Sequence, residues 1–188
     1  MNFLVLILFI TMLFPESQYK EPSFTLLKTV NNIQIRQYDE YIIAKTTEPL
    51  STSNPDNNMF RTLASYIFGK NEKQINIPMT APVTTFKNDT SYDMIFYMLD
   101  SNSIDDLPKP LGQNITFEKF NLGKCAVISF SWFTSDWKIK KYEEKLKKFI
   151  ENNGYTQTSH FMVNRYDSPW KFPWNRKNEV LVQIKENL

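Results

Sequence analysis

The sequence predicts an α+β domain: an antiparallel-type sheet of about eight strands, curled into a distorted barrel and flanked by two helices. Three observations lead there. Short runs rich in β-branched and aromatic residues lie between Asn, Gly and Pro turns. Two stretches, near 57–68 and 136–152, switch to a helical period. The order strand, strand, helix, strand, strand then occurs twice along the chain, with only faint identity between the halves. Two such units can join their sheets into one curved surface that both helices cover.

Taken in order, 24–30 reads as a strand and Asn31-Asn32 as a turn. Residues 33–38 alternate, which sets Ile33 and Ile35 inward and Gln34 and Arg36 outward. A β-branched strand follows at 41–47, and the Pro, Ser and Asn content of 49–58 makes that stretch a loop. Asp56 or Asn57 is placed to cap the first helix, whose Met59, Phe60, Leu63, Ala64, Ile67 and Phe68 make one wide apolar face. Gly69 closes it. Strands at 83–86 and 92–99 form a hairpin around Asn88-Asp89, and a polar, Pro-containing link spans 100–114. The second half gives strands at 115–120 and 125–133, a helix capped by Thr134-Ser135-Asp136 and ended by Gly154, and strands at 160–166 and 178–184. The Lys and Glu residues of that helix form a solvated face of mixed charge.

Composition narrows the function. A length of 188 residues suits one domain with a sizeable core. The net charge of +2 is too small and too evenly spread to argue for nucleic acid. One cysteine, Cys125, excludes an intrachain disulfide, and one histidine, His160, excludes a two-histidine metal site within one chain. With 4 glycines, none clustered, there is no phosphate-cradling loop. A Cys125–His160 nucleophilic pair is conceivable, but two singletons on separate strands read more simply as unrelated. No catalytic signature is present, and a monomer is expected. Aromatic residues at 15% suit either a β-rich core or an apolar groove for a flat ligand.

Residues 3–14 are apolar except for Thr11. As a helix they would cover about 18 Å, short of a bilayer core. We therefore read 1–17 as a signal peptide, or else as a retained N-terminal anchor, and 18–188 as the folded domain. A signal peptide implies a secreted, periplasmic or lumenal protein; only a retained segment would attach it to a membrane. Asn88-Asp89-Thr90 and Asn114-Ile115-Thr116 fit the glycosylation acceptor pattern.

Between the first helix and the next strand, Pro78 and Pro82 bracket Met79-Thr80-Ala81, a stiff crossover that aims Met79 and Val83 at the core. Tyr66-Ile67-Phe68-Gly69-Lys70-Asn71, followed by Ile77-Pro78-Met79-Thr80-Ala81-Pro82-Val83, resembles the signature of the SOUL haem-binding family. Glu21-Pro22-Ser23-Phe24, Ile33-Gln34-Ile35-Arg36-Gln37-Tyr38 and Arg176-Lys177-Asn178-Glu179-Val180 match it in the same order. The resemblance implies the same barrel architecture and non-covalent binding or transport of haem or a related tetrapyrrole, without catalysis.

The stretch 166–178 holds Trp170, Phe172 and Trp174, with Lys171, Arg176 and Lys177 beside them and Pro169 and Pro173 stiffening it. Flat apolar faces beside cations suit a planar ligand with two propionates; equally, the rings could cap the barrel. The resemblance implies a groove between the first helix and this loop, hence Phe60, Leu63 and Ala64 on one side and Trp170, Lys171, Phe172, Trp174 and Arg176 on the other. Where some members are proposed to carry a ligating histidine this chain has Tyr41 and Ile42, so no strong histidine-ligated iron is expected. A protein-interaction module docking through the aromatic loop, or a tetrapyrrole-modifying enzyme, are the alternative readings.

Overall fold

A computed structural model describes residues 19–112 and 114–187. The leader reading of 1–17 lies outside the described residues. The strands are β1 (Phe24–Val30), β2 (Ile33–Tyr38), β3 (Glu40–Pro49), β4 (Val83–Lys87), β5 (Ser91–Tyr97), β6 (Thr116–Asn121), β7 (Lys124–Phe130), β8 (Tyr155–Gln157), β9 (Met162–Arg165) and β10 (Asn178–Glu186). The helices are α1 (Pro55–Ile67) and α2 (Asp136–Asn152).

The ten strands form one curled antiparallel half-barrel in the order β1-β2-β7-β10-β9-β4-β5-β3-β6, with β8 on the end of β10. The expected pair of halves is visible in that order. About the β4–β9 pairing, β5 answers to β10, β3 to β7 and β6 to β2, and each half carries its helix between its second and third strands. Eight of the ten strands make this pseudo-symmetric body, and the further stretch read as a strand at 24–30 is β1. The edge strand β1 and the three-residue β8 are additions to it.

Both faces of the sheet are covered. On the convex side, α1 buries Met59, Leu63, Tyr66 and Ile67 against Ile42, Ala44, Met94 and Phe96. Also convex, α2 buries Leu146, Phe149 and Ile150 against Ile33, Ile35, Ala126, Val180 and Val182. The concave side closes on Tyr38, Ile43, Ile95, Tyr97, Cys125, Val127, Met162 and Leu181. This third core corrects one reading of β2. Alternation does put Ile33 and Ile35 on one face, but the opposite face is barrel interior, so Arg36 is 5% exposed rather than outward.

The joint after α1 shows why its sequence is unusual. Gly69 takes φ +100°, a left-handed conformation that a side chain would strain. Asn71, fully buried, donates through Nδ2 to the carbonyls of Tyr66 (3.0 Å) and Ile75 (2.8 Å) and accepts from the Ile75 N–H. It thus ties the helix end to the crossover, whose Met79 and Val83 pack on the α1 core.

Several boundaries differ from the sequence expectation for tertiary reasons. The α1 helix starts at Pro55 behind a left-handed Asn54, so neither Asp56 nor Asn57 caps it; Asp56 instead pairs with Arg165 at 3.2 Å. At the C-terminal end of β7 the strand stops at Phe130, because Trp132 turns to φ 80°. Its N–H donates to the Pro173 carbonyl at 2.8 Å, and its own carbonyl accepts from Asn178 Nδ2 at 2.9 Å. The β9 strand begins at Met162 rather than His160, since the preceding residues hold to β10 through the Thr158 N–H and the Gln183 carbonyl.

Candidate functional site

The loop 167–177 between β9 and β10 is organised from within. Asp167 accepts from Lys171 Nζ and from the Lys177 N–H, both at 2.6 Å. Arg176 folds back to donate to the carbonyls of Pro169 and Lys171. A single 3-10 turn at Pro173–Asn175 finishes the loop. With its polar groups turned inward, the loop presents rings outward: Trp170 is 93% exposed, Phe172 63% and Trp174 56%. Phe172 and Trp174 stack face to face, centroids 4.9 Å apart and 10° from parallel.

Residues that the strand reading of 125–133 concealed join this surface. Trp132 meets Trp174 edge-on at 6.4 Å, and the Arg176 guanidinium sits 5.0 Å over the Phe133 ring. The Trp-Phe pair at 132–133, past the end of an apolar strand, is the signal that could have marked them.

On α1, Phe60 is half-exposed and leans edge-on against Phe96 at 5.7 Å. Leu63 is fully buried and Ala64 nearly so, both facing the sheet. Among the described residues, no hydrogen bond, ion pair or ring contact joins Phe60, Leu63 or Ala64 to Trp170, Lys171, Phe172, Trp174 or Arg176.

Beneath the loop lies a polar cluster that the sequence reading left unassigned. Arg36 pairs with Glu179 at 2.9 Å, and Glu179 is wholly buried. The carboxylate also accepts from Ser129 (3.1 Å) and Tyr166 (2.6 Å), while Arg36 donates to Tyr38 (2.9 Å) and Gln34 (2.8 Å). Burial alone would lift the Glu179 carboxyl. The Arg36 charge and the hydrogen bonds from Arg36 and Tyr166 outweigh it and hold Glu179 below the ordinary carboxylate range. Burial pushes the Tyr166 phenol well up, so it stays a donor. The set is closed and internally satisfied, a structural clasp with no open face for a substrate.

A separate cleft of about 730 Å³ opens between α1 and α2, over β4 and β9. Met59, Phe86, Ile139, Phe161 and Val163 line it, with His160, Lys140, Lys147 and Arg165 among its polar groups and Asp56, Asp136, Glu143 and Glu144 opposing them. Cys125 lies elsewhere, in the concave core, donating to the Leu122 carbonyl at 3.3 Å. Burial pushes its thiol up to about 12, so it is no nucleophile near neutrality. A Cys125–His160 pair is therefore absent among the described residues. No three His, Cys, Asp or Glu side chains among them converge to hold a metal ion either.

The SOUL heme-binding protein family model matches residues 19–183, and the chain belongs to that family. It is similar to human Heme-binding protein 2, 31% identical over 137 residues, which span 68% of this chain and 65% of that protein. The chain thus matches just under two thirds of that relative's length. Among solved structures, an uncharacterized conserved protein from Listeria innocua superposes with a TM-score of 0.64 at 10% identity, over 82% of this chain and 92% of the other. A hydrolase from the same organism gives 0.59 at 10% identity, over 84% and 94%. At such identities these two share the fold and nothing more.

Proposed function

We propose that this chain is a non-enzymatic binder or carrier of haem or a related tetrapyrrole, held non-covalently on the rings of loop 167–177. The observation that carries the site is the stacked, solvent-open Phe172–Trp174 face with Arg176 and Lys171 at its edge. Family membership and the similarity to Heme-binding protein 2 support the ligand class. A flat porphyrin face would extend the stack on the outer face of one ring of the Phe172–Trp174 pair, with Trp170 free to close over it. Lys171 and Arg176 would meet the propionates, Lys171 by leaving Asp167. Phe60 is the α1 side chain available to such a ligand. Leu63 and Ala64 would act from beneath, seating α1 on the sheet. Haem would supply the iron and its redox chemistry, but loop 167–177 has no His, Met or Cys to ligate it. Binding therefore rests on ring stacking and charge. The protein is proposed to act as a monomer, secreted, periplasmic or lumenal if residues 1–17 are a cleaved signal.

One observation favours a second location. The cleft between the helices has the volume of a cofactor pocket and carries His160 and Arg165 beside apolar side chains. Its five carboxylates (Asp56, Asp89, Asp136, Glu143 and Glu144) outnumber its four Lys and Arg side chains and disfavour propionates, which places it second. Haemin titration of the full chain, followed by Soret absorbance and tryptophan quenching, tests the function itself. Saturation in the micromolar range is expected. Linear, unsaturable quenching would overturn the proposal and turn attention to a docking role for the loop.

A further inference from the structure

Trp132, Trp170 and Trp174 stand on one end of the molecule, and all four tryptophans of the chain, Trp137 included, are 49% exposed or more. Contacts link Trp132 to Trp174, Trp174 to Phe172, and Phe133 to Arg176. Trp170 lies in the same loop, and Trp137 follows Trp132 by five residues, in the first turn of α2. Contiguous exposed rings on this scale mark a surface that meets something other than water.

Two further observations say what. First, the backbone under the rings is satisfied from within. The Trp132 N–H bonds the Pro173 carbonyl, Arg176 takes the carbonyls of Pro169 and Lys171, and the N–H groups of Lys171, Asn175 and Arg176 bond within the loop. A protein partner could supply missing backbone bonds, whereas a lipid medium cannot, and this loop asks for few. Second, Glu21, near the start of the described chain, is held to Lys177 at 3.0 Å. The apolar run at 3–14 precedes this point in the sequence.

We infer that this end seats on a lipid bilayer, its indole and phenyl rings entering the interface and Lys138, Lys171, Arg176 and Lys177 lying at headgroup level. Indole rings favour that zone because one edge is apolar and the N–H can stay wet. The cations add attraction to anionic lipid; with Asp167 and Glu21 already paired to two of them, the rings carry most of the affinity. The inference goes beyond the tetrapyrrole reading and does not rest on it.

The test uses the full chain, without haem, and phosphatidylcholine vesicles with brominated acyl chains, with and without phosphatidylglycerol. The segment 1–18 contains no tryptophan, so tryptophan emission reports on the ring end alone. A blue shift and saturable bromine quenching are expected with both lipids, stronger with phosphatidylglycerol. Trp170→Ala with Phe172→Ala, both highly exposed and so tolerated by the fold, should reduce the quenching of the remaining tryptophans. Co-sedimentation with vesicles but no shift or quenching would mean that the leader alone binds, and would overturn the inference. Emission unchanged and no co-sedimentation would overturn it as well, leaving the surface to a protein partner.

Discussion

Glu179 and Arg36 show how much one buried pair can hold. Their side chains are 0% and 6% exposed, and Ser129, Tyr166 and Tyr38 complete their hydrogen bonding. Removing one partner strands the other charge in the barrel, so Arg36→Met or Glu179→Gln should each cost about 3–5 kcal/mol by urea denaturation. The pH dependence has a definite sign. A carboxylate held below its unfolded value stabilises fully above that value, about 4.3 for Glu, and the contribution fades as pH falls through the folded pKa. Stability should drop on acidification below about pH 4, and the Glu179→Gln chain should show a shallower drop. None of this was legible from alternation in 33–38, which put Arg36 in solvent. A period of two reports that a residue lies opposite Ile33 and Ile35. It cannot report that a second core covers that face.

At the scale of elements, the joint between α1 and β4 is where local sequence speaks most plainly. Gly69 closes the helix in a left-handed conformation, and Asn71 bonds both the helix end and the crossover. Gly69→Ala meets Asn76 and Gln74 only at ordinary van der Waals distance (3.6 and 3.7 Å) and should cost only the backbone strain, about 1–2 kcal/mol. Asn71→Ala leaves buried carbonyls without donors and should cost about 1–3 kcal/mol, and Asn71→Asp should not rescue it, since the amide donors are still missing. Thermal unfolding of the three variants checks these values. The same elements show where sequence reading stops. The α1 stop and the stiff crossover follow from local chemistry, and the structure has them; of the apolar face read for α1, Phe60 and Phe68 are exposed, Phe68 because it lies past the last helical residue. The end of β7 does not, because the turn at Trp132 is made by hydrogen bonds to Pro173 and Asn178, more than 40 residues away.

At the scale of the molecule, the repeated strand-strand-helix-strand-strand order was readable and builds the pseudo-symmetric body of the sheet. What joins the halves was not, because the β2–β7, β3–β6 and β4–β9 pairings leave no mark on either half alone. The same blindness hid the cleft between the helices and its His160, a residue that sequence order set apart from α1. Two surfaces thus compete for the ligand: the open rings of loop 167–177 and the charged cleft. Contacts from Lys171 and Arg176 to propionates would contribute about 1.5–3 kcal/mol each, with the buried porphyrin face supplying the rest. The decisive measurement is a haemin titration of the full chain beside two variants, His160→Ala and Trp170→Ala with Trp174→Ala, read by the Soret band. His160→Ala should leave affinity and band position unchanged, while the double tryptophan variant should bind about tenfold more weakly, about 1.4 kcal/mol. Loss of the Soret band in His160→Ala, with full binding retained by the tryptophan variant, would contradict this and place the ligand between the helices.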